Sequence, residues 1–408
     1  MWRKIVSPEI LLLLGTLQAI FPYALWTFQG KNESYNYEIT YLPLFLWTIG
    51  YFFFWLGTRF FKSNLDRISP EIVKISFSSL KRIIFIISVL IIIQIINIVR
   101  SYGFLPILEF FSGSININDV NNNAVDTGFG QLGIFVTSLF FLNGLLLSLL
   151  IKSVESNKKL SVFFIVNLLI AIFGTLITGK RQGLFILIFF LFSGLSIRFN
   201  SPLKTFMNVF GFQITKKVRI LIYLVVPTIL IYFMGLMASL RIGSDYKISG
   251  TDEAINYLQW PLINFEAQCE QAGLGPYNFN PIYTFVGLLP RRLYEDYVMN
   301  NDLPISPEPS SPVGFYGNLH WGLGIPGIIL FSFIFGLISK YFYSKSSFSL
   351  SHLLIYCQIT WTLIASHSYN HFLSLVFLPL PGLCFLIFGF LCNFLSKKEN
   401  YLIGNLQE

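Results

Sequence analysis

The sequence predicts an all-α, polytopic integral membrane protein with about ten transmembrane helices and one large external loop. Three observations lead to this fold class. The 408-residue chain is 54% hydrophobic and only 12% charged, which is about half the charged fraction of a soluble domain. Its apolar residues form runs of roughly 17–25, long enough to cross a ~30 Å hydrocarbon layer as helices. One long polar stretch, from Arg241 to about Gly327, separates seven of these runs from the last three.

Ten apolar runs account for the predicted spans. In order, they cover residues 8–28, 40–57, 83–99, 131–151, 160–177, 184–197, 220–240, 323–341, 350–366 and 372–395. The chain therefore divides into spans 1–7 within residues 1–240, the large loop at 241–322, and spans 8–10 with a C-terminal tail at 323–408. No small-residue cleavage site follows the first run, so we interpret it as an uncleaved span.

The basic residues orient the predicted bundle. With the N-terminus in the cytoplasm, 20 of the 28 Lys and Arg residues fall in cytoplasmic segments, as the positive-inside rule requires. Six of them stand in the single loop between spans 2 and 3. Both termini are then cytoplasmic, and the large loop is external.

Three external groups of cations stand out because the positive-inside rule disfavours them. They are Lys180-Arg181 between spans 5 and 6, Arg241 at the end of span 7, and Arg291-Arg292 in the large loop. A single such cation can simply snorkel to the lipid headgroups, and the first pair can also be a charged turn that stops span 5. Three groups on one face, beside a large loop, instead favour a site for an anionic ligand.

The large loop contains a helix of its own. The Thr-Asp-Glu sequence at 251–253 is a typical helix start, because acidic side chains favour the first turn. An amphipathic run follows from 254 to 272; Pro261 should break or kink it, and Gly273 can end it. This helix either lies in the membrane interface or packs over the bundle as a lid. The later run at 279–289 is too short to span the membrane and is interpreted as a re-entrant segment.

Several chemistries are disfavoured by what the sequence lacks. It has no phosphate-binding glycine loop, no dinucleotide fingerprint and no metal-spaced set of ligands, so we expect neither a cofactor nor a metal. The His367 and His371 pair is interpreted as structural. Carboxylates are nearly absent from the spans, which argues against ion-coupled transport. The net charge of +8 arises mainly from basic residues between the predicted spans, where it reflects membrane topology. It does not indicate binding to nucleic acid.

Aromatic residues accompany the cations of the predicted external face. Sugars pack on aromatic rings and phosphates pair with arginine, so the combination suits a saccharide linked to a lipid diphosphate. The aromatic belt found in many membrane proteins is the alternative explanation. The residues are Trp260, Trp321, Tyr277, Tyr283, Tyr294 and Tyr316.

Three short motifs stand at the external ends of the spans and in the large loop. The first is Thr-Gly-Lys-Arg-Gln-Gly-Leu at 178–184, and the second is Leu-Pro-Arg-Arg-Leu-Tyr at 289–294. The third is Tyr-Gly-Asn-Leu at 316–319, which leads into the glycine-rich entrance of span 8. With the span count and the loop placement, these motifs resemble the oligosaccharide repeat-unit polymerases of the O-antigen polymerase (Wzy) type. One departure is that Glu-Asp-Tyr at 295–297 stands where many members have Pro-x-Lys, so the role of that lysine would pass to Arg292.

This resemblance implies a fold and an activity. The fold would be the GT-C type of integral membrane protein, in the bacterial inner membrane. The activity would be a metal-independent, inverting glycosyl transfer on the external face, which polymerises repeat units into O-antigen or capsule. The donor would be a growing glycan on undecaprenyl diphosphate, and the acceptor a single lipid-linked repeat unit. A flippase, a chain-length regulator and membrane lipids would be its partners.

The leaving diphosphate defines the roles expected for the cations. Arginine stabilises charge that develops on a diphosphate in the transition state. Arg181, Arg241 and Arg291 are therefore expected to act on the leaving group, with Arg292 in support. Further contacts to the diphosphate or the glycan are expected from Lys180, Asn318, Tyr294 and Trp321.

The acceptor hydroxyl needs a base or an orienting hydrogen-bond acceptor. His320 is the leading candidate, because the related O-antigen ligases have a histidine in a similar place. Asp245, Glu253 and Glu266 are the alternatives for the base, and a structural role is the alternative for His320 itself.

Other functions compete with this interpretation. A lipid-linked oligosaccharide flippase usually has more spans and no dominant external loop. A GT-C enzyme with a monosaccharide donor typically has an acidic pair in the first external loop, where this chain has only Glu33 and Glu38. An O-antigen ligase is poorly separated from a polymerase by sequence. A membrane protein without enzymatic activity is the remaining alternative.

Overall fold

A computed structural model of the protein describes residues 2–31, 39–61, 76–102, 129–177, 181–199, 201–212, 215, 250–276, 282–285, 288, 314–367 and 371–404. Within these residues all regular structure is helical, and no strand occurs. The predicted all-α class is therefore confirmed.

The helices are numbered in chain order. The first seven are α1 (Trp2–Ile5), α2 (Pro8–Phe28), α3 (Tyr41–Thr58), α4 (Phe77–Tyr102), α5 (Phe129–Glu155), α6 (Val162–Ile177) and α7 (Arg181–Arg198). The others are α8 (Pro202–Val209), α9 (Gly250–Ala272), α10 (Ile282–Phe285), α11 (Gly314–Lys345), α12 (Leu350–Ile364) and α13 (Pro379–Gly404). Short 3₁₀ turns at Ala365–His367 and His371–Leu373 join the last two helices.

The helices include several of membrane-spanning length. In the described part of the chain, α2, α3, α4, α5 and α11 each contain a stretch long and apolar enough to cross a membrane, and α7 with α8 would make a sixth if they form one bent span. Stretches of α6, α12 and α13 are shorter but also apolar. These helices indicate a polytopic membrane protein, while the count of ten spans stays a prediction. The predicted span 7, at 220–240, lies outside the described residues.

Several helix boundaries differ from the predicted ones. Helix α11 begins at Gly314, and the predicted start of span 8 near residue 323 falls at a break in this helix at Gly324. Helix α13 begins at Pro379, later than the predicted start at 372. Proline suits the first turn of a helix, where its missing N–H is not needed.

Helices α3 and α11 pack closely through glycine. A Cβ on Gly57 would overlap the backbone carbonyl of Phe333, and a Cβ on Gly336 would overlap the carbonyl of Phe54. Small residues let membrane helices approach until their backbones touch, which maximises van der Waals contact where lipid supplies no hydrophobic drive. The α3–α11 pair is thus a tightly joined unit within the bundle.

Polar contacts identify the helix ends that share one face of the bundle. Lys340, near the end of α11, pairs with Glu9 at the start of α2 at 2.8 Å. The Tyr343 hydroxyl donates to the Arg3 carbonyl at 2.7 Å. The start of α2 and the end of α11 therefore lie together, as the alternating topology predicts. We call this face the N-terminal face; its assignment to the cytoplasm rests on the charge pattern.

A second set of contacts extends this face to α5 and α7. Arg198, at the end of α7, pairs with Glu155 at the end of α5 at 2.6 Å. Phe192 of α7 packs edge-on against Trp2, with ring centroids 5.7 Å apart. The C-terminal end of α7 thus belongs to the N-terminal face. The other end of α7, where Arg181 begins the helix, points to the opposite face.

Candidate functional site

A polar helix is buried inside the apolar bundle. Helix α9 starts within a residue of the predicted Thr-Asp-Glu signal and ends before Gly273, whose φ of 59° is the left-handed conformation that ends helices. It packs against α2, α3 and α11. The loop helix is confirmed, but it is inserted among the other helices. Its polar residues exposed by 3% or less are Gln259, Asn264, Glu266 and Gln268.

Gln268 and His320 join this helix to α11. The amide of Gln268 donates one hydrogen to the carbonyl of Gly317 at 3.0 Å and the other to Nδ1 of His320 at 3.2 Å. His320 Nε2 lies 3.1 Å from the carbonyl oxygen of Gly273. A carbonyl can only accept, so Nε2 carries the proton and Nδ1 is the acceptor. Gln268 of α9, Gly273 just after that helix, and Gly317 and His320 of α11 thus form one hydrogen-bonded joint.

The same geometry describes the state of His320. The side chain is fully buried, and the edge of its ring meets Phe265 at a centroid distance of 5.6 Å. Both ring nitrogens have protein partners, so this conformation leaves no lone pair to take a proton from a hydroxyl. The role of His320 as a base stays a prediction, and it would require the Gln268 hydrogen bond to open.

A break in α11 lies one turn beyond His320. Gly324 has φ 62° and ψ −151°, a conformation almost restricted to glycine. A Cβ at this position would lie 2.9 Å from the backbone nitrogen of Pro276 and 3.0 Å from the carbonyl carbon of Gly275. The segment that follows α9 therefore packs into the break. The glycine permits both the change of direction and the close approach of the second chain segment.

Glu266 connects α9 to the start of α3. Its Oε2 accepts a hydrogen bond at 2.9 Å from the backbone N–H of Thr40, the residue that caps α3. Its Oε1 is buried, with no hydrogen-bond partner among the described residues. Burial raises the pKa of this carboxyl; the hydrogen bonds from Thr40 oppose the rise, and the charge of Glu270 adds to it. The site thus contains a buried carboxyl with one unused oxygen.

These contacts lie on the face opposite the N-terminal face. Thr40 begins α3, and the Gly317–His320 turn belongs to the start of α11, whereas Lys340 near the end of α11 belongs to the N-terminal face. Arg181 also begins its helix at this opposite face, although only its backbone is described. The part of the site that the structure describes therefore combines α9 with the starts of α3 and α11, and the start of α7 lies on the same face.

The predicted site residues are described to different extents. Trp321 follows His320 in α11 and is half-buried, and Asn318 lies in the same turn with only its backbone described. Several predicted residues lie outside the described residues: Lys180, Arg241, Asp245, Arg291, Arg292 and Tyr294. Glu253 lies in the first turn of α9, and its side chain is not described. In the described part of the chain, no group of three or more His, Cys, Asp or Glu residues could hold a metal ion.

Sequence reasoning missed Gln268 and Thr40. The side-chain amide of Gln268 donates a hydrogen bond to the His320 imidazole, and the backbone N–H of Thr40 donates one to the Glu266 carboxyl. The sequence carries no signal that singles out Gln268, because it is one of several polar residues on this helix. Thr40 contributes through its backbone, which no side-chain pattern reveals.

No protein-family model matches the chain, and no characterised protein or solved structure matches it significantly.

Proposed function

We propose that this protein polymerises oligosaccharide repeat units that are linked to undecaprenyl diphosphate. The reaction is a metal-independent glycosyl transfer on the external face of the bacterial inner membrane. The proposal includes ten spans, a GT-C type of fold and cytoplasmic termini. The product is a surface polysaccharide such as O-antigen or capsule.

One structural observation carries this proposal: the helix from the large loop is polar, yet it is buried in an apolar bundle. Burying amides and a carboxyl costs free energy unless they are hydrogen-bonded, so a helix built only for packing would be apolar. Such a polar layer at one membrane face suits a ligand with both polar and apolar parts. A lipid-linked saccharide is a ligand of that kind.

The charge pattern supports the anionic part of this ligand. The three external groups of cations are expected on the face that carries the polar layer. Arginine forms paired hydrogen bonds with phosphate oxygens and keeps its charge at every physiological pH. In the proposed reaction Arg181, Arg241 and Arg291 stabilise the charge that develops on the leaving diphosphate.

A gene deletion with complementation tests this function. Cells that lack the protein should retain surface glycan of a single repeat unit and lose the long chains, as seen on a glycan gel. Complementation with Arg181→Ala, Arg241→Ala or Arg291→Ala should not restore the long chains. Arg100→Ala is the control, because Arg100 is an external cation outside the three groups; this variant should restore them.

Other outcomes identify the competing functions. Complete loss of exported glycan on deletion would indicate a flippase. Polymer that accumulates without linkage to its acceptor lipid would indicate a ligase. Normal chain lengths in all three arginine variants would refute the diphosphate site.

A further inference from the structure

The carboxyl of Glu266 is held in place by one of its two oxygens. Oε2 accepts the Thr40 amide hydrogen at 2.9 Å, at the first residues of α3. Oε1 has no hydrogen-bond partner in the described part of the chain, and the residue is 3% exposed. A purely structural cap would be satisfied by the hydrogen bonds from Thr40, and an amide side chain could accept them equally well. The second oxygen is therefore a buried acceptor that the described fold does not use.

No cation neutralises this carboxyl among the described residues. Two described ion pairs, Glu9 with Lys340 and Glu155 with Arg198, both lie on the N-terminal face. Among the described residues, the titratable groups near Glu266 on its own helix are Cys269 and Glu270. On neighbouring elements they are Tyr23 and His320. The Tyr23 hydroxyl accepts a hydrogen bond from the Ile39 amide beside Thr40, and His320 is hydrogen-bonded to Gln268. A buried carboxyl without a cation is costly, which points to a use other than stability.

Four residues are candidates for the base, and the structure describes the side chains of two of them, His320 and Glu266. The side chains of Asp245 and Glu253 are not described. His320 has both ring nitrogens engaged, by Gln268 and by the Gly273 carbonyl. Glu266 has one oxygen without a hydrogen-bond partner in the described part of the chain, at the face where the reaction is proposed.

From this geometry we infer that Glu266 is the catalytic base of the proposed polymerisation, and the inference rests on that proposed function. The oxygen of an acceptor-sugar hydroxyl attacks the anomeric carbon of the donor and forms a new C–O bond. The bond from that carbon to the diphosphate oxygen breaks, and its electron pair leaves with the diphosphate. The hydroxyl proton passes to Oε1 of Glu266, which later releases it to water. Because Glu266 is buried, the acceptor reaches it only when the packing around the start of α3 opens.

The buried environment of Glu266 suits the role of a general base. A general base works best when its pKa lies near the working pH, and burial raises the pKa of Glu266 from the ordinary carboxyl range towards that value. A raised pKa also has a consequence for stability. The folded protein binds the proton more tightly than the unfolded chain, so this contribution is fully present below the unfolded pKa and is lost as the pH rises through the folded pKa.

Glu266→Gln separates the catalytic role from the structural one. Its amide oxygen can still accept from Thr40, but it cannot take a proton. The assay uses purified protein with lipid-linked single repeat units extracted from cells that lack the gene. We expect the rate to fall roughly 100- to 10,000-fold, the usual contribution of a general base. The melting temperature at neutral pH should equal or exceed that of the wild type, because the variant no longer buries a charge.

Glu270→Gln is the matched control. Glu270 lies one turn further along α9, is exposed, and undergoes the same change of charge. This variant should keep the wild-type rate within a factor of about two. The wild-type rate should also fall on acidification, with an apparent pKa above the ordinary glutamate value of about 4.3. Glu266→Asp, which retains a carboxyl, should keep an acid limb at a shifted pH.

The inference and the proposed function fail in different ways. If deletion leaves long chains intact, the proposed function is wrong. If deletion removes long chains but Glu266→Gln restores them at the wild-type rate, only the inference is overturned. A wild-type rate that does not fall on acidification down to the ordinary carboxyl range would overturn it as well, and this measurement needs no variant to fold.

Discussion

Replacing Gly324 by alanine tests whether the break in α11 is required. Its φ of 62° and ψ of −151° lie where an alanine costs about 1–3 kcal/mol of backbone strain. The added Cβ would also lie 2.9 Å from the Pro276 nitrogen. That neighbour is backbone and cannot rotate away, so overpacking adds about 1–3 kcal/mol. The expected destabilisation is the sum, roughly 2–6 kcal/mol, a large share of the ~5–15 kcal/mol that stabilises a typical folded domain.

Two other glycines separate the contributions to this effect. Gly30 has φ 68° but no atom within 4 Å of its added Cβ, so Gly30→Ala should cost only the backbone term, about 1–2 kcal/mol. Gly382 is helical, and its added Cβ also meets no atom within 4 Å. Gly382→Ala should be neutral or stabilising by up to about 1 kcal/mol, because alanine favours the helix.

Thermal unfolding of detergent-solubilised protein, followed by size-exclusion chromatography, gives the assay. The melting temperatures should fall in the order Gly382→Ala, Gly30→Ala, Gly324→Ala. Gly324→Ala should also shorten the polysaccharide chains in complemented cells, because the break joins the His320 turn to the rest of α11. If Gly324→Ala is as stable as Gly382→Ala, the break does not require glycine and the reasoning is refuted.

Three further predictions concern helix packing and polar contacts. Gly336→Ala should lower stability by about 1–3 kcal/mol, because its Cβ would overlap the carbonyl of Phe54; the same melting assay measures the loss. Lys340→Met should cost about 2–4 kcal/mol by leaving Glu9 unpaired, and adding Glu9→Gln should recover much of it in a double-mutant cycle. Gln268→Leu should cost about 1–3 kcal/mol, because a buried carbonyl and an imidazole nitrogen of α11 lose their donor. Faster amide hydrogen exchange confined to α9 and the start of α11 would accompany that loss, and unchanged exchange there would contradict it.

The behaviour of α9 shows what local sequence can and cannot specify. Its start and its end at Gly273 were predicted closely, because capping and left-handed glycine are properties of neighbouring residues. Its position among the other helices was not predicted. The amphipathic pattern suggested an interfacial helix or a lid, whereas the helix is buried among α2, α3 and α11. A pattern along one helix does not say which helices will surround it.

The candidate site also combines features that the local sequence specifies with features that distant contacts decide. The sequence offered His320 and Glu266 as candidates for one role, and nothing in their neighbours along the chain shows which hydrogen-bond partners either side chain has. The structure brings Gln268 to His320 from 52 residues away and Thr40 to Glu266 from 226 residues away. The Gln268 amide engages one nitrogen of the imidazole. The Thr40 N–H holds one oxygen of the carboxyl, and the other oxygen has no partner among the described residues. Hydrogen-bond satisfaction depends on such distant partners, so only the tertiary structure could decide it.

The sequence by itself determined that this is a helical membrane protein, where most of its helices lie and which of their ends carry the positive charge. Those properties follow from apolar run length and from charge next to each run, which are local and additive along the chain. The tertiary structure decided that the large loop contributes a polar helix to the bundle interior and that Gly324 breaks α11 against Gly275 and Pro276. It also decided that one oxygen of Glu266 has no hydrogen-bond partner among the described residues. Those properties depend on close packing between distant segments, which leaves no periodic trace in the sequence.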